Sequence, residues 1–381
     1  MRKINYPFET DFEKEIFLNE YFDKISLKIP NQSEICKKIK DIDPTWDLKK
    51  LLTADFGELI CFVEKLKKDD GFLKEKIIPS LKKEFTEPEE EKYIEEYFEN
   101  YINNKSLKDN NFLKSVTVKE EKVESELLKK NEERKKKREN IHNKIKLELN
   151  FITNTIISPY EKKTIFRIVS NFLNKDRLNI KEKEKFLNIN SCFYCNIDYV
   201  NTFKDNNDIK NHFTLDHILP KSKYPFLSIS LFNLVPCCSP CNSKFKHITE
   251  FIIDEDLPKL IPSSKEYILD ELVQFQLKFK VNEKDKLDLK VDLTNLSNIN
   301  NVDEFITMFK LKGRYEFHRQ KAIDLVDKRK IYSDSQIREI AKLLGRDEQS
   351  IKEDIFGKEC FQSNNEPFEK YKQDIAQQLN L

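Results

Sequence analysis

The chain has 381 residues, 35% of them charged, and only five glycines. So little glycine, and neither a G-x-G-x-x-G nor a G-x-x-x-x-G-K run, argue against a Rossmann or P-loop protein with a Gly-rich loop around phosphate. The 68 basic side chains against 67 acidic leave a net charge of +1, which rules out a globally basic nucleic-acid binder but permits a local basic patch. The length allows two or three domains, and 38% hydrophobic residues with 29 Phe suffice for real cores. High charge points to small, surface-rich, largely helical folded parts. No apolar run reaches the roughly 18 residues that span a bilayer, and the N-terminus MRKINYPFETDFEKE lacks the apolar stretch of a signal peptide. The expected location is therefore cytoplasmic, with no membrane partner. In that reducing setting clustered cysteines read as metal ligands rather than disulfides.

Residues 1–118 are predicted to form a helical N-terminal domain punctuated by Pro30, Pro44, Pro79 and Pro88. Helical spacing is clearest over Asp47–Leu66, where Leu48, Leu51, Leu52, Phe56, Leu59, Ile60 and Val63 make a core stripe. Tyr93, Tyr97 and Tyr101 share one face of a later helix and are expected in the core. Cys36 and Cys61 sit among apolar neighbours without metal spacing and are expected as buried thiols. Residues 119–185 read as a charged helical connector. Its run from Lys119 to Lys146 carries a thin stripe of Val123, Leu127 and Leu128. The expectation is a solvated helix joining two domains; the sharper reading has Arg134–Arg138 on a phosphate backbone. His142 is expected at the surface. Apolar spacing resumes through Ile157, Ile165, Ile168, Val169 and Phe172, with Pro159 restarting the helix, and the polar NKDRLNIKEKEKF follows.

Residues 253–381 are predicted as an α+β extension. After a loop at Pro258 and Pro262, Val273, Phe275, Leu277, Phe279 and Val281 alternate, then Leu287, Leu289, Val291 and Leu293, as a β-hairpin with one buried face does. Val302–Lys330 reads as one long helix with His318 on a solvated face beside Arg314 and Arg319. Ser333 and Gln336 form a capping box for a helix closing at Gly345, and a last helix runs from about Pro367 to Leu379. Cys360 is expected to be buried.

Residues 186–252 carry the chemistry. Cys192 to His247 holds five of the eight cysteines and three of the five histidines. Cys192 and Cys195 form one C-x-x-C and Cys238 and Cys241 another, with 42 residues between the pairs. Two such knuckles build a closed tetrahedral site suited to structural Zn²⁺. Cys237 competes with its neighbour, but Cys238 alone keeps the i, i+3 spacing to Cys241. Between the knuckles, Phe213–Pro220 reads as a short strand and Phe232–Val235 as the start of a second. Ser239 suits an N-cap and Pro240 the first helical position, with Asn242 in the first turn. Two strands and a helix would bring Asp216, His217 and Asn242 into one cleft. Asp216 and Asn242 are oxygen ligands suited to Mg²⁺ or Mn²⁺. A neutral His217 imidazole can take a proton from an attacking water, and Asn233 would brace the loop carrying it. His212 and His247 sit at the edges of the cluster. From Phe203 to Ile248 six lysines face three aspartates, a patch that can hold a phosphate backbone without reading sequence.

The pattern D-H-I-x-P-K-S, then N-L-V beginning sixteen residues after the histidine, then C-x-x-C-N-x-K, resembles the HNH (ββα-metal) endonuclease family in its zinc-knuckle form. The match covers Cys192–Ile252. The resemblance implies His217 as general base, Asp216 and Asn242 as metal ligands, and Asn233 as the structural middle residue. Lys244 matches a family lysine in the same helix and is expected at phosphate, together with Lys221, Lys246 and His247. Asn242 stands where the family often has histidine; that variant is also seen in RNA-guided nuclease HNH domains, so it does not argue for a dead site, and the metal implied is Mg²⁺ or Mn²⁺. The fold expected is α+β and mainly helical, with a central ββα-metal core and structural zinc. It also has a helical N-terminal domain and a C-terminal β-hairpin plus helices. The expected substrate is DNA, with RNA as an alternative. Stand-alone HNH proteins with large extra domains look similar to effectors of bacterial anti-phage systems, often paired with an ATPase. The rival reading is a zinc-stabilised binding module without turnover.

Overall fold

Prolines and side-chain caps cut the N-terminal part into short helices. The computed structural model describes residues 1–67, 73–102, 121–149, 169, 189–205, 208–247, 249–281, 287–363 and 365–381. Helix α1 spans Asp11–Ser26 and α2 Gln32–Ile42, with Pro30 between them. The Asp47 carboxylate accepts from the Lys50 amide at 2.8 Å and starts α3, Leu48–Thr53. Ala54 is extended, the Asp55 carboxylate accepts from the Gly57 amide, and α4 follows over Phe56–Lys67. The stripe from Leu48 to Val63 is thus divided between two helices, and all seven of its residues are buried. Cys36 and Cys61 depart from expectation: the first is half-buried and the second exposed. Cys61 follows Leu59 and Ile60 and so turns off the apolar face that Val63 and Leu66 continue.

Pro79 lies in the first turn of α5, Ile78–Glu84, and Pro88 opens α6, Pro88–Ile102. Tyr97 and Tyr101 are buried, as expected, while Tyr93 is only half-buried. The charged run is a helix, α7, Glu121–Leu149, but it does not stand free. Ile141, Ile145 and Leu149 are buried, one turn apart. Arg134 pairs with Glu89 (2.8 Å), Lys137 with Glu87 (2.5 Å) and Lys144 with Glu84 (3.0 Å), while Arg138 lies over the Tyr93 ring. Exposed pairs contribute only a few tenths of a kcal/mol each. Burying an isoleucine is worth about 1.5–3 kcal/mol, so the three apolar residues decide the docking. Lys137 also lies 3.9 Å from Glu90, so three of the five residues of the RKKKR run contact the protein's own α6. The side chains of Val123, Leu127 and Leu128, and the stripe from Ile157 to Phe172 apart from the helical, buried Val169, lie outside the described residues.

The chain forms two compact units: Met1–Asn19, Arg167–Ile218 and Leu234–Leu381 make the first, and Glu20–Phe166 and Leu219–Asn233 the second. Sheet structure in the described residues is three antiparallel pairs: β1 Thr202–Asp205 with β2 Asp208–Asn211, β3 Thr214–His217 with β4 Leu234–Cys237, and β5 Val273–Val281 with β6 Leu287–Asn295. Architecture is thus mainly helical with small sheets. A π-type helix, α8, spans Pro240–Lys246, and short helices α9 and α10 cover Leu257–Leu260 and Leu269–Leu272. The β5/β6 hairpin is as predicted, with Phe275 opposite Leu293 and Leu277 opposite Val291. Its edge is closed by the last helix, α16 (Glu369–Gln378). Asp374 and Gln378 there accept from the Phe275 and Leu277 amides at 2.9 Å each.

The predicted long helix over Val302–Lys330 is instead three: α11 Asn300–Met308, α12 Leu311–Phe317 and α13 Gln320–Ile331. The first break falls at Lys310, whose φ is 53°, and the second at His318–Arg319. Phe309 and Leu311 are both fully buried. Two residues apart on a straight helix they would point to nearly opposite sides, so the kink is what lets both enter the core. Ser333 and Gln336 exchange the expected capping-box bonds at the start of α14 (Asp334–Leu344), which ends at a left-handed Gly345 before α15, Glu348–Phe356.

Candidate metal centre and active site

The first knuckle is a tight turn held by its own backbone. The Cys192 amide donates to the Asp198 carbonyl (3.0 Å), the Asn196 amide to the Cys192 carbonyl (2.7 Å), and the Ile197 amide to Cys195 Sγ (3.4 Å). Asn196 takes φ 52°, a conformation asparagine tolerates better than most residues. Its side chain is tied to Ser191 Oγ and the Glu366 carbonyl. The second knuckle is the entry to α8, where the Asn242 amide donates to the Cys238 carbonyl at 3.1 Å. Pro240 sits in the first turn as expected, but Ser239 has helical torsions and its side chain caps nothing.

The sulphurs of Cys192, Cys195, Cys238 and Cys241 all lie within 4.8 Å of one another, and all four residues are buried. Cys195 and Cys238 stand 4.0 Å apart. Four thiolates at zinc distance would sit about 3.8 Å from one another, so the donor set fits a tetrahedral soft cation. Cys237 is not part of it; its sulphur lies 3.6 Å from Thr214 Oγ1. Burial works against ionising Cys195, but hydrogen bonds with Cys192, Cys238 and Cys241 and the charge of Arg314 hold its thiol well below the usual range. Cys238 and Cys241 are pushed the other way, chiefly by hydrogen bonds with Cys192 and Cys195.

The second cluster lies at the end of β3. His217 pairs with Leu234 and Asp216 with Val235. Asp216 is buried, taking the Tyr194 hydroxyl on Oδ2 (2.7 Å) and the Lys246 ammonium on Oδ1 (3.1 Å). Lys246 Nζ also donates to the His217 carbonyl at 2.9 Å. Burial raises the Asp216 carboxyl above its ordinary range, opposed by the Lys246 charge and the two side-chain bonds. Lys246 is thereby corrected as a phosphate contact. It is 2% exposed and its ammonium serves the protein's own acceptors, because its place one turn past Asn242 points it back at β3.

Asn242 is half-buried in α8, while Lys244 and His247 are exposed, His247 closing the helix at φ 45° with its amide on the Asn242 carbonyl (2.8 Å). His217 is half-buried, and His212 and Lys221 are exposed. Asn233, in the second unit, is fully buried. Its Oδ1 accepts from the Leu219 amide (2.8 Å), and Nδ2 donates to the carbonyls of Leu219 (3.1 Å) and Leu227 (2.9 Å). It braces the segment that begins two residues after His217. Tyr194 and Arg314 were not singled out for this site by the sequence. Tyr194 stands inside C-F-Y-C, a position open to scrutiny, but Arg314 lies 73 residues beyond Cys241 with no local signal. The sequence names it only as a neighbour of His318, yet it reaches the cysteine cluster. His318 is half-buried against the Phe368 ring at 4.6 Å.

Comparison of the chain with protein-family models, with curated proteins and with solved structures finds no match. Among the described residues no helix is long and apolar enough to cross a membrane.

Proposed function

We propose that this chain is a metal-dependent endonuclease of the HNH type that hydrolyses phosphodiester bonds in DNA. In this reading Zn²⁺ is structural at the four cysteines, and Mg²⁺ or Mn²⁺ is held by Asp216 and Asn242. One observation carries it. Asp216 and His217 end a strand paired to β4, and β4 runs through Cys238 and Cys241 directly into the helix that bears Asn242. Lys246 of that same helix reaches back to Asp216 and the His217 carbonyl. Asp216 and Asn242 are hard oxygen donors, which suit such ions. A bound divalent cation would stabilise charge developing at the phosphate and the departing 3′ oxygen. His217 would take the proton from the attacking water, Asn233 holds the loop that follows, and Lys244, His247 and Lys221 are assigned to phosphate contacts. The extra helical material fits, by analogy alone, a cytoplasmic anti-phage effector working with an ATPase.

Plasmid cleavage in Mg²⁺ or Mn²⁺ tests this directly. Wild type should nick or linearise, and His217→Ala should lose at least about a hundredfold of the rate. Intact plasmid with wild type across metals, alone and with a partner, overturns it. A parallel digest of tRNA and mRNA separates an RNA-cleaving enzyme from a DNA-cleaving one. A second reading, a zinc-stabilised binding module without turnover, draws on one observation: both oxygens of the buried Asp216 already have protein partners. DNA retention by the zinc-loaded chain without cleavage would favour it.

A further inference from the structure

Arg314 approaches the cysteines from α12, outside either knuckle. Its Nη1 lies 3.3 Å from Cys241 Sγ and its Nη2 3.4 Å from Cys195 Sγ, so one planar group takes one sulphur from each knuckle. Nη2 also donates to Asp198 Oδ2 at 2.7 Å, and the guanidinium carbon lies 4.9 Å from the centre of the Phe245 ring. The next residue, Tyr315, is fully buried and donates its hydroxyl to the Cys195 carbonyl at 2.6 Å. Four thiolates around a dication carry an excess of two negative charges, and burying such charge is costly unless donors face the sulphurs. The first knuckle offers Cys195 the Ile197 amide at 3.4 Å. The nearby lysines do not serve, for Lys244 is exposed and Lys246 is bound to Asp216. An arginine supplies a permanent charge on a rigid planar fork whose two nitrogens can each face one sulphur, a fixed geometry that an ammonium lacks.

We propose that Arg314 is a positioning residue of the cysteine metal site, clasping the two knuckles through Cys195 and Cys241 and so tying α12 to the start of α8. The proposal rests on the reading that the four cysteines hold zinc. Its consequence runs along α8: Cys241 precedes Asn242, and Lys246 at the other end holds Asp216. The clasp therefore fixes the N-terminal half of the helix that the nuclease reading needs.

The test uses the full chain loaded with zinc, as wild type, Arg314→Gln and Arg314→Lys. The first readout is the rate of zinc transfer to a chromophoric chelator, which should rise about tenfold to a hundredfold in Arg314→Gln, as loss of a partner to a metal ligand typically does. The second is the sulphur-to-metal charge-transfer absorption of the cobalt-substituted protein. Hydrogen bonds to sulphur lower its lone pairs, so losing them should move the band to longer wavelength, a change that a merely structural role for Arg314 would not produce. Arg314→Lys keeps the charge and most of the bulk but not the fork, and should fall between the other two in both readouts. It carries the test if the glutamine variant fails to fold. Wild-type zinc retention and an unshifted cobalt band in the variants would overturn the clasp while leaving the zinc site standing. A wild-type chain that binds neither zinc nor cobalt at the cysteines overturns both together.

Discussion

Replacing Lys246 with methionine tests whether the end of β3 depends on a buried charge pair. The Nζ–Oδ1 distance is 3.1 Å, and the two side chains are 2% and 5% exposed. Removing one member of such a pair leaves an uncompensated charge and costs about 3–5 kcal/mol. The lost bond to the His217 carbonyl adds about 1 kcal/mol. Proton uptake limits the total, because burial already pushes the Asp216 carboxyl up and the neutral acid escapes most of the desolvation cost. A net loss of about 3–4 kcal/mol at neutral pH is expected. The sign with pH follows: a raised carboxyl penalises the fold above its folded value, so the deficit should shrink on acidification as Asp216 gains its proton. Amide hydrogen exchange of Thr214–His217 and of Leu234, Val235 and Cys237 reads this locally, without assuming that the two units unfold together. The double variant Asp216→Asn with Lys246→Met should recover part of the loss, since a neutral amide needs no cation. A Lys246→Met deficit below about 1 kcal/mol, or a double variant equal to the sum of the singles, would refute the reasoning.

Cys195→Ser should abolish zinc binding and loosen the first unit around both knuckles, since such sites contribute folding energy directly; one zinc per chain in the purified variant would disprove the ligand set. Asn233→Ala removes three bonds and strands the Leu219 amide in a buried place. A loss of about 2–3 kcal/mol and faster proteolysis within Leu219–Asn233 are expected, and unchanged cleavage would count against the brace. Asp43 is held below its usual range: burial opposes its ionisation, but bonds from Lys65 and Thr45 prevail. Its stabilisation is therefore complete above pH 3.8 and disappears as pH falls through the lowered folded value. Asp43→Asn should cost about 1 kcal/mol at neutral pH, Lys65 being half-exposed. A urea midpoint difference that persists unchanged in strong acid would contradict this.

Much of the local structure was readable in advance because its causes are local. Proline at helix starts, the Asp47 cap, the Ser333–Gln336 box and the alternation of Phe275, Leu277, Val291 and Leu293 each act within a few residues. The choice of Cys238 over Cys237 was legible for the same reason: on a tight turn only the i, i+3 spacing turns two sulphurs the same way, and Cys237 packs at Thr214 instead. Where local spacing misled, a tertiary demand overrode it. The single helix expected over Val302–Lys330 broke at Lys310 so that Phe309 and Leu311 both reach the core. The connector helix proved to be docked, through Ile141, Ile145 and Leu149.

From sequence alone came the two cysteine knuckles, the Asp216–His217 strand end and the helix entered through Cys241, since each is written within a few residues. Tertiary structure alone decided what each charged group faces. It turned Lys246 from solvent to Asp216, and it set Tyr194 against the same carboxylate. It also brought Arg314 back to Cys195 and Cys241, and it grouped Leu219–Asn233 with a unit whose other part is Glu20–Phe166. The physical reason is common to all four. A charge or a hydroxyl takes its partner from whatever the folded chain places within hydrogen-bond reach, and chain separation carries no record of that.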